Sequence, residues 1–212
     1  MASMKMKKNT FVVLLVVLTK VMHAQTITGE YYLQGVMETA SGFKLNADSS
    51  FEFFFSYGAL DRSGKGKWTL QSDSVILFNS DKRPPLDFSL AKHAATGDKN
   101  MIIQIEDNNK NILRYVQGFI KTNAGEQAFE VDNGGIAQIE KQKIDSIGLI
   151  FTLCPDRYSV FPVADNDNYF VFHFEPWIAE VFFENFELKY LNNTLVGKHP
   201  LLNGSEYTYE KE

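Results

Sequence analysis

The segment FEFFFSY, residues 51–57, decides the fold class of this chain. Its side chains alternate in character, because successive Cβ atoms of a strand point to opposite faces of a sheet. One face consists of aromatic rings alone, from Phe51, Phe53, Phe55 and Tyr57, and the other carries Glu52, Phe54 and Ser56. The segment therefore predicts a β-strand with one buried aromatic face.

The residues on both sides of this strand repeat the same pattern. Short runs with a period of two are separated by turn residues every eight to twelve positions or so, which is typical of antiparallel β-structure. The predicted neighbouring strands are Tyr31 to Glu38, Gly42 to Asn46, Lys67 to Gln71 and Val75 to Phe78. Residues 25–80 are therefore predicted to form a five-strand antiparallel meander, with a reversal at residues 58–66.

The periodicity stops at residues 81–100, which we interpret as a linker. Pro84 and Pro85 cannot donate hydrogen bonds to a sheet, although the stretch could instead be an edge strand crossing between sheets. Beyond it, short apolar runs resume, and Asp132-Asn133-Gly134-Gly135 is a typical hairpin turn. The chain is thus predicted to be all-β, with residues 101–212 forming a β-sandwich of the immunoglobulin-like or transthyretin-like kind.

The N-terminus is typical of a secretory signal peptide. Lysines at positions 5, 7 and 8 precede the uncharged run FVVLLVVLT, residues 11–19, and the small residue Ala24 follows. We expect cleavage between Ala24 and Gln25, so that the mature protein is exported to the periplasm or the extracellular space. No later run approaches the twenty or so apolar residues that a spanning helix needs, so no membrane span is expected in the mature chain.

The charge balance disfavours nucleic acid as a partner. Residues 1–24 contain four of the 21 basic residues and no acidic residue, which leaves 17 basic against 26 acidic residues in the mature chain. Such a surface repels phosphate backbones. Cys154 is the single cysteine and ends an apolar run, so we expect it to pack rather than react.

No catalytic residue, metal or cofactor is predicted. The histidines at positions 93, 173 and 199 are scattered, and residues 58–66 lack the spacing and the hydroxyl of a phosphate-binding loop. Asp165 to Asn168 alternates oxygen ligands as a calcium loop does, but the glycine and the closing glutamate are missing. We interpret that segment as a polar turn.

Two family resemblances follow from the quoted residues. The first half, with Gly35-Val36-Met37-Glu38, residues 51–62 and Gly66-Lys67-Trp68, resembles lipocalin-like secreted proteins of Gram-negative bacteria. It is similar in particular to envelope proteins carrying a Tyr-Gly-Ala-x-Asp segment. The second half, with Ile105-Glu106-Asp107 and Asp132-Asn133-Gly134, resembles carboxypeptidase-regulatory-like domains, which are transthyretin-like sandwiches. Both resemblances imply accessory modules without catalysis.

The candidate ligand-binding residues are Tyr57, Asp61, Arg62 and Trp68, which lie in or beside the lipocalin-like segment. Asp61 and Arg62 would contact a ligand at a barrel mouth, or Asp61 would only accept backbone N–H bonds in a turn. The leading hypothesis is a non-catalytic secreted or periplasmic protein that binds an envelope protein or a glycan. The alternatives are a lipocalin-like carrier, whose cavity would need about eight strands, and a hydrolase whose site the sequence does not show.

Overall fold

The computed structural model describes residues 27–72, 74–164, 166–204 and 206–212 of the chain. The predicted signal peptide, residues 1–24, and Asp165 of the predicted polar turn lie outside these residues. The described part is all-β, as the sequence predicts, with one short 3-10 helix at Lys110–Tyr115. It divides into two compact units, one made of residues up to Arg83 together with Glu180–Glu212 and the other of Pro84–Ala179.

The first unit is a closed barrel of eight strands. Its strands are β1 (Gly29–Leu33), β2 (Thr39–Leu45), β3 (Ser50–Tyr57), β4 (Leu60–Ser72), β5 (Val75–Asn79), β14 (Phe186–Leu191), β15 (Thr194–Gly197) and β16 (Tyr207–Lys211). Around the barrel they follow the order β1-β16-β15-β14-β5-β4-β3-β2, and every pairing is antiparallel. The last three strands therefore close a barrel that the first five begin.

The second unit consists of two four-stranded sheets, and it is inserted in the chain between β5 and β14. Its strands are β6 (Phe88–Ala94), β7 (Asn100–Glu106), β8 (Val116–Thr122), β9 (Gly125–Glu130), β10 (Ile136–Glu140), β11 (Ser146–Phe151), β12 (Ser159–Pro162) and β13 (Tyr169–Phe174). The sheet orders are β10-β7-β13-β6 and β12-β11-β8-β9, and β13 pairs with β7 in parallel. The ring of Phe161 lies 4.8 Å from that of Phe172 in the other sheet, so the two sheets pack as a sandwich.

These units divide the chain differently from the boundaries that the sequence predicts. The predicted linker, residues 81–100, contains strand β6, which the two prolines precede and do not interrupt. The predicted sandwich, residues 101–212, loses its last part, residues 180–212, to the barrel. The physical reason is that β5 would be an unpaired edge without β14, and closing the barrel removes that edge.

The barrel interior is filled by the aromatic face predicted from the sequence. Phe51, Phe53 and Phe55 of β3 are buried, while Glu52 and Phe54 between them are exposed. The ring of Phe43 lies 5.0 Å from that of Phe53 and 4.9 Å from that of Phe78. The remaining buried members of this core are Ile27, Tyr31, Leu45, Trp68, Ile76, Val181, Phe183, Leu188, Leu195 and Tyr209.

The reversal between β3 and β4 is shorter than predicted. Only Gly58, with a φ of 59°, and Ala59 separate the two strands, so the predicted turn at residues 58–66 is wrong beyond its first two residues. Gly64 belongs to the strand and faces the core, where a Cβ atom would lie 2.7 Å from the ring of Phe183. The glycine that resembled a turn signal is required by close packing instead.

Candidate functional site

The four predicted site residues do not share a surface. Asp61 and Arg62 are consecutive residues of β4 and therefore point to opposite faces. Asp61 is exposed, while Arg62 is buried and donates from Nη2 to the carbonyl oxygen of Glu180 at 3.2 Å. Trp68 lies in the core and donates from Nε1 to the carbonyl oxygen of Asn46 at 3.1 Å. Tyr57 is 53% exposed at the end of β3.

A groove of about 420 Å³ crosses strands β1 to β4 on the outer surface of the barrel. We call it the barrel groove. Its lining residues are Glu30, Tyr31, Tyr32, Phe43, Lys44, Glu52, Phe53, Phe54, Ser63, Gly64, Lys65 and Glu180. The register places the outward-facing members in two neighbouring rows, since Glu30, Lys44, Glu52 and Lys65 are successive Cα partners, and so are Tyr32, Gly42, Phe54 and Ser63. The groove is therefore bordered by one charged row and one aromatic row.

The aromatic row is built around a glycine. The rings of Tyr32 and Phe54 meet edge to face, with centroids 6.0 Å apart and an interplanar angle of 61°. Between their strands lies Gly42, where a Cβ atom would come within 2.8 Å of the Phe54 ring. Phe54 thus lies across the space that a side chain at position 42 would occupy, and it stays 39% exposed. This row offers an apolar surface on an otherwise polar face.

One end of the charged row is already paired. Lys44 Nζ lies 2.9 Å from Glu30 Oε1, and the Tyr32 hydroxyl donates to Glu30 Oε2 at 2.7 Å. The hydrogen bond from Lys44 holds the pKa of Glu30 below its usual range, and the same bond raises the pKa of Lys44. The pKa of Tyr32 is raised because its hydroxyl proton is held by the Glu30 carboxylate. These three groups fix one another at this end of the groove.

The other end of the groove carries open charges. Within the described chain, the side chains of Glu52, Lys65 and Glu180 make no hydrogen bond or salt bridge. Glu52 interacts with its Cα partner Lys44 only through its charge, which helps the Glu30 bond to raise the pKa of Lys44. Glu52 and Lys65 are Cα partners, and Glu180 joins the site through a parallel bridge to Ser63 of β4. The Val181 amide donates to the Ser63 carbonyl oxygen at 2.7 Å, which holds Glu180 beside the strand. Two carboxylates and one ammonium are therefore available to a ligand.

The sequence predicted the outer face of β3 but not the barrel groove as a candidate site. The alternation in residues 51–57 places Glu52 and Phe54 on the outer face. It does not indicate that the exposed Phe54 lines a groove. Residues such as Tyr32, Lys44 and Lys65 occur on the outer face of many strands, so their positions do not indicate a binding site. Glu180 joins the groove from more than a hundred positions away, so no local signal marks it.

The barrel interior favours a packed core over a carrier cavity. The Phe183 ring lies 5.1 Å from that of Phe51 and 5.3 Å from that of Phe53, so it fills the space between strands. Trp68 is buried in the same cluster. Eight strands are enough to enclose a small ligand, but here side chains occupy the interior.

Ser41 and His199 form a buried pair that resembles a nucleophile and its base. His199 Nε2 lies 3.1 Å from Ser41 Oγ, and the Ser41 hydroxyl donates to the carbonyl oxygen of Phe54 at 2.8 Å. His199 Nδ1 accepts the backbone N–H groups of Leu201 and Leu202 at 3.0 and 3.1 Å. Nε2 must then carry the proton and donate to Ser41, whereas a general base would accept the serine proton there. The pair joins two segments of the barrel and is not arranged for acyl transfer.

The remaining histidines and the cysteine lie elsewhere. His93 Nδ1 is 2.6 Å from Asp167 Oδ2, and His173 Nε2 is 3.4 Å from Glu106 Oε2. Cys154 is buried in the sandwich unit. Across residues 27–72, 74–164, 166–204 and 206–212, no group of three or more His, Cys, Asp or Glu side chains could hold a metal ion. No helix in these ranges has the length and apolar character needed to cross a bilayer.

No protein-family model, curated protein or solved structure matches this chain. The resemblances to lipocalin-like proteins and to carboxypeptidase-regulatory-like domains therefore stay predictions. The barrel groove is the candidate site that the geometry of the described residues favours.

Proposed function

We propose that this chain is a non-catalytic, exported binding protein whose barrel groove holds a glycan. The observation that carries the proposal is that one groove holds an aromatic pair, half-buried Tyr32 and exposed Phe54, beside charged side chains that have no hydrogen bond or salt bridge. A pyranose ring has an apolar face of C–H groups and a rim of hydroxyls. The apolar face matches an aromatic ring. The hydroxyl rim matches carboxylates, which accept hydrogen bonds, and an ammonium group, which donates them.

The size of the groove favours a small or linear ligand over a folded protein. A volume of about 420 Å³ lies in the usual range for ligand sites, which runs from about 300 to 1,000 Å³. A stable protein interface buries about 800 Å² on each partner. An envelope protein that presents a glycan remains compatible with this site, because the sugar would make the contact.

Export is part of the proposal. The basic and apolar N-terminus is typical of a signal peptide, and a periplasmic or extracellular location would place the protein among glycans. The intact mass of the secreted or envelope-fraction protein tests this. A mature chain that starts at Gln25 is expected, and retention of residues 1–24 would contradict export.

The binding test compares Phe54→Ala with Tyr57→Ala on a panel of soluble oligosaccharides. Both are exposed aromatic residues of β3, but only Phe54 lines the groove. Loss of the Phe54 ring should weaken binding by about tenfold, the usual effect of losing one aromatic contact. Tyr57→Ala should leave the dissociation constant unchanged.

The same titrations test the residues proposed from sequence. If Tyr57→Ala or Asp61→Asn weakens binding while Phe54→Ala does not, the ligand binds beside the turn between β3 and β4. The proposal that the barrel groove is the binding site then fails. If no oligosaccharide binds, the glycan function fails. Turnover of an ester, peptide or glycoside by the purified mature protein would overturn the non-catalytic part.

A further inference from the structure

The open charges of the barrel groove are unequal in number. Glu30 and Lys44 neutralise each other in their 2.9 Å ion pair. What is left facing a ligand, among the residues that the structure describes, is the two carboxylates of Glu52 and Glu180 and the single ammonium of Lys65. The end of the groove that carries Glu52, Lys65 and Glu180 therefore has a net negative charge.

This imbalance selects among glycans. A uronic acid or sulfated sugar would gain one contact with Lys65 but would face two carboxylates. A neutral sugar would leave one carboxylate without a counter-charge while it displaces water from the groove, which is unfavourable. A sugar with one protonated amine neutralises the site. The amine and Lys65 then supply two positive charges against the two negative charges of Glu52 and Glu180.

The net charge of the whole chain also favours a cationic ligand. With residues 1–24 removed, 26 acidic side chains stand against 17 basic ones. The long-range field of such a surface raises the local concentration of cations and lowers that of anions. A cationic ligand is therefore favoured both on approach and in the groove.

We infer that the glycan bound in the barrel groove contains an amino sugar with a free, protonated amine, whose ring stacks on Phe54 and whose ammonium pairs with Glu52 or Glu180. This inference rests on the proposed glycan-binding function and names the substrate class of the same site. It assigns charge selection to the two glutamates and ring recognition to the aromatic row.

Three β-1,4-linked oligosaccharides of equal length test the inference, because they differ only at C2. The glucosamine oligomer has a free amine there, the N-acetylglucosamine oligomer has an amide, and the glucose oligomer has a hydroxyl. At pH 6 and low salt, we expect the amine form to bind at least about tenfold more tightly than the other two. High salt should remove most of this advantage, because exposed charge pairs are screened.

Charge variants locate the effect. Glu52→Gln combined with Glu180→Gln should bring the affinity for the amine oligomer down to that for the glucose oligomer. The matched control is Glu126→Gln combined with Glu130→Gln, which removes the same charge from exposed positions of β9 in the sandwich unit. It should leave the preference intact, and Lys65→Gln should preserve or strengthen it.

The outcomes separate the two proposals. Equal binding of all three oligomers, each weakened by Phe54→Ala, would overturn the amine inference and leave glycan binding in place. An equal loss from the β9 control variant would show non-specific attraction of a polycation and would also overturn the inference. No binding of any oligomer would overturn the glycan function itself.

Discussion

Phe54 lies against Gly42, its Cα partner on the neighbouring strand, with a ring atom only 2.8 Å from the place where a Cβ atom of residue 42 would be. The sandwich unit repeats this arrangement. Phe119 lies across Gly148, which is again its Cα partner on the next strand. In both sheets an aromatic side chain covers the backbone that a glycine leaves open, which restores packing at a weak point of a strand.

Gly42→Ala is therefore expected to destabilise the barrel and to disturb the groove. The added methyl group would collide with the Phe54 ring and with the backbone of Tyr31. Such overpacking costs about 1 to 3 kcal/mol of unfolding free energy. Chemical denaturation measures the change. Gly97→Ala is the control, because no atom lies within 4 Å of a Cβ at that position, and an equal loss there would contradict the packing explanation.

Trp68→Ala should destabilise the barrel by about 3 to 5 kcal/mol, the usual cost of truncating a large buried aromatic residue. Trp68 is only 4% exposed, and its Nε1 donates to Asn46. Trp68→Phe keeps most of the packing and should cost less. Unfolding can be followed by far-ultraviolet circular dichroism, and a loss below about 1 kcal/mol for Trp68→Ala would mean that Trp68 is not a core residue.

Tyr209→Phe and Tyr31→Phe should have opposite effects on stability. Both tyrosines are fully buried in the barrel, but the Tyr31 hydroxyl donates to the carbonyl oxygen of Ile27, whereas that of Tyr209 has no hydrogen-bond partner among the described residues. Removing an unsatisfied buried hydroxyl should stabilise the protein by about 1 kcal/mol, and removing a satisfied one should cost about the same. Denaturation midpoints decide the sign. Destabilisation by Tyr209→Phe would indicate a partner, such as a bound water, for that hydroxyl.

Acid should destabilise the protein through His199. Burial lowers the pKa of His199 to about 4 in the folded protein, from 6.5 in the unfolded chain. Between these values the unfolded chain binds more protons, so the unfolding free energy falls as the pH falls, by roughly 3 kcal/mol over the whole window. His199→Gln should flatten this part of the stability profile. A slope in His199→Gln that equals that of the unaltered protein would contradict the assignment.

Asp87→Ala should destabilise the sandwich unit by about 3 to 5 kcal/mol, because it leaves Arg157 partly buried without its counter-charge. Arg157 Nη2 lies 2.6 Å from Asp87 Oδ1, and Nε lies 2.9 Å from Oδ2. Trp177 belongs to this unit, so its fluorescence in a Trp68→Phe background follows the unfolding of the sandwich. Lys44→Ala breaks an exposed ion pair instead and should change the stability much less than Asp87→Ala.

The sequence alone determined which side chains of β3 face the core, except at the end of the strand. Phe51, Phe53 and Phe55 are buried and Glu52 and Phe54 are exposed, because the alternation of Cβ atoms is a property of the extended backbone over a few residues. The prediction is wrong only for Tyr57, which is 53% exposed at the end of the strand. The same local rule predicted five strands in the first half, but β1 ends at Leu33 and not at Glu38, and β4 begins at Leu60 and not at Lys67. It failed at Gly64, since a glycine has no side chain to show whether it permits a turn or makes room for a neighbour such as Phe183.

Only the tertiary structure decided how the strands combine and where the groove lies. Strand β14 pairs with β5, although the two strands are far apart in the sequence. At the end of this pairing, the Asn185 amide donates to Asn79 Oδ1, 106 positions earlier in the chain. Glu180 likewise pairs with Ser63, although all residues of the sandwich unit, Pro84–Ala179, lie between them in the sequence. Such pairings depend on which strands are left at the edge of a sheet once each unit has packed. An alternating pattern within one strand does not indicate which other strand it pairs with. The candidate site therefore arises from residues whose individual patterns are those of an ordinary sheet surface.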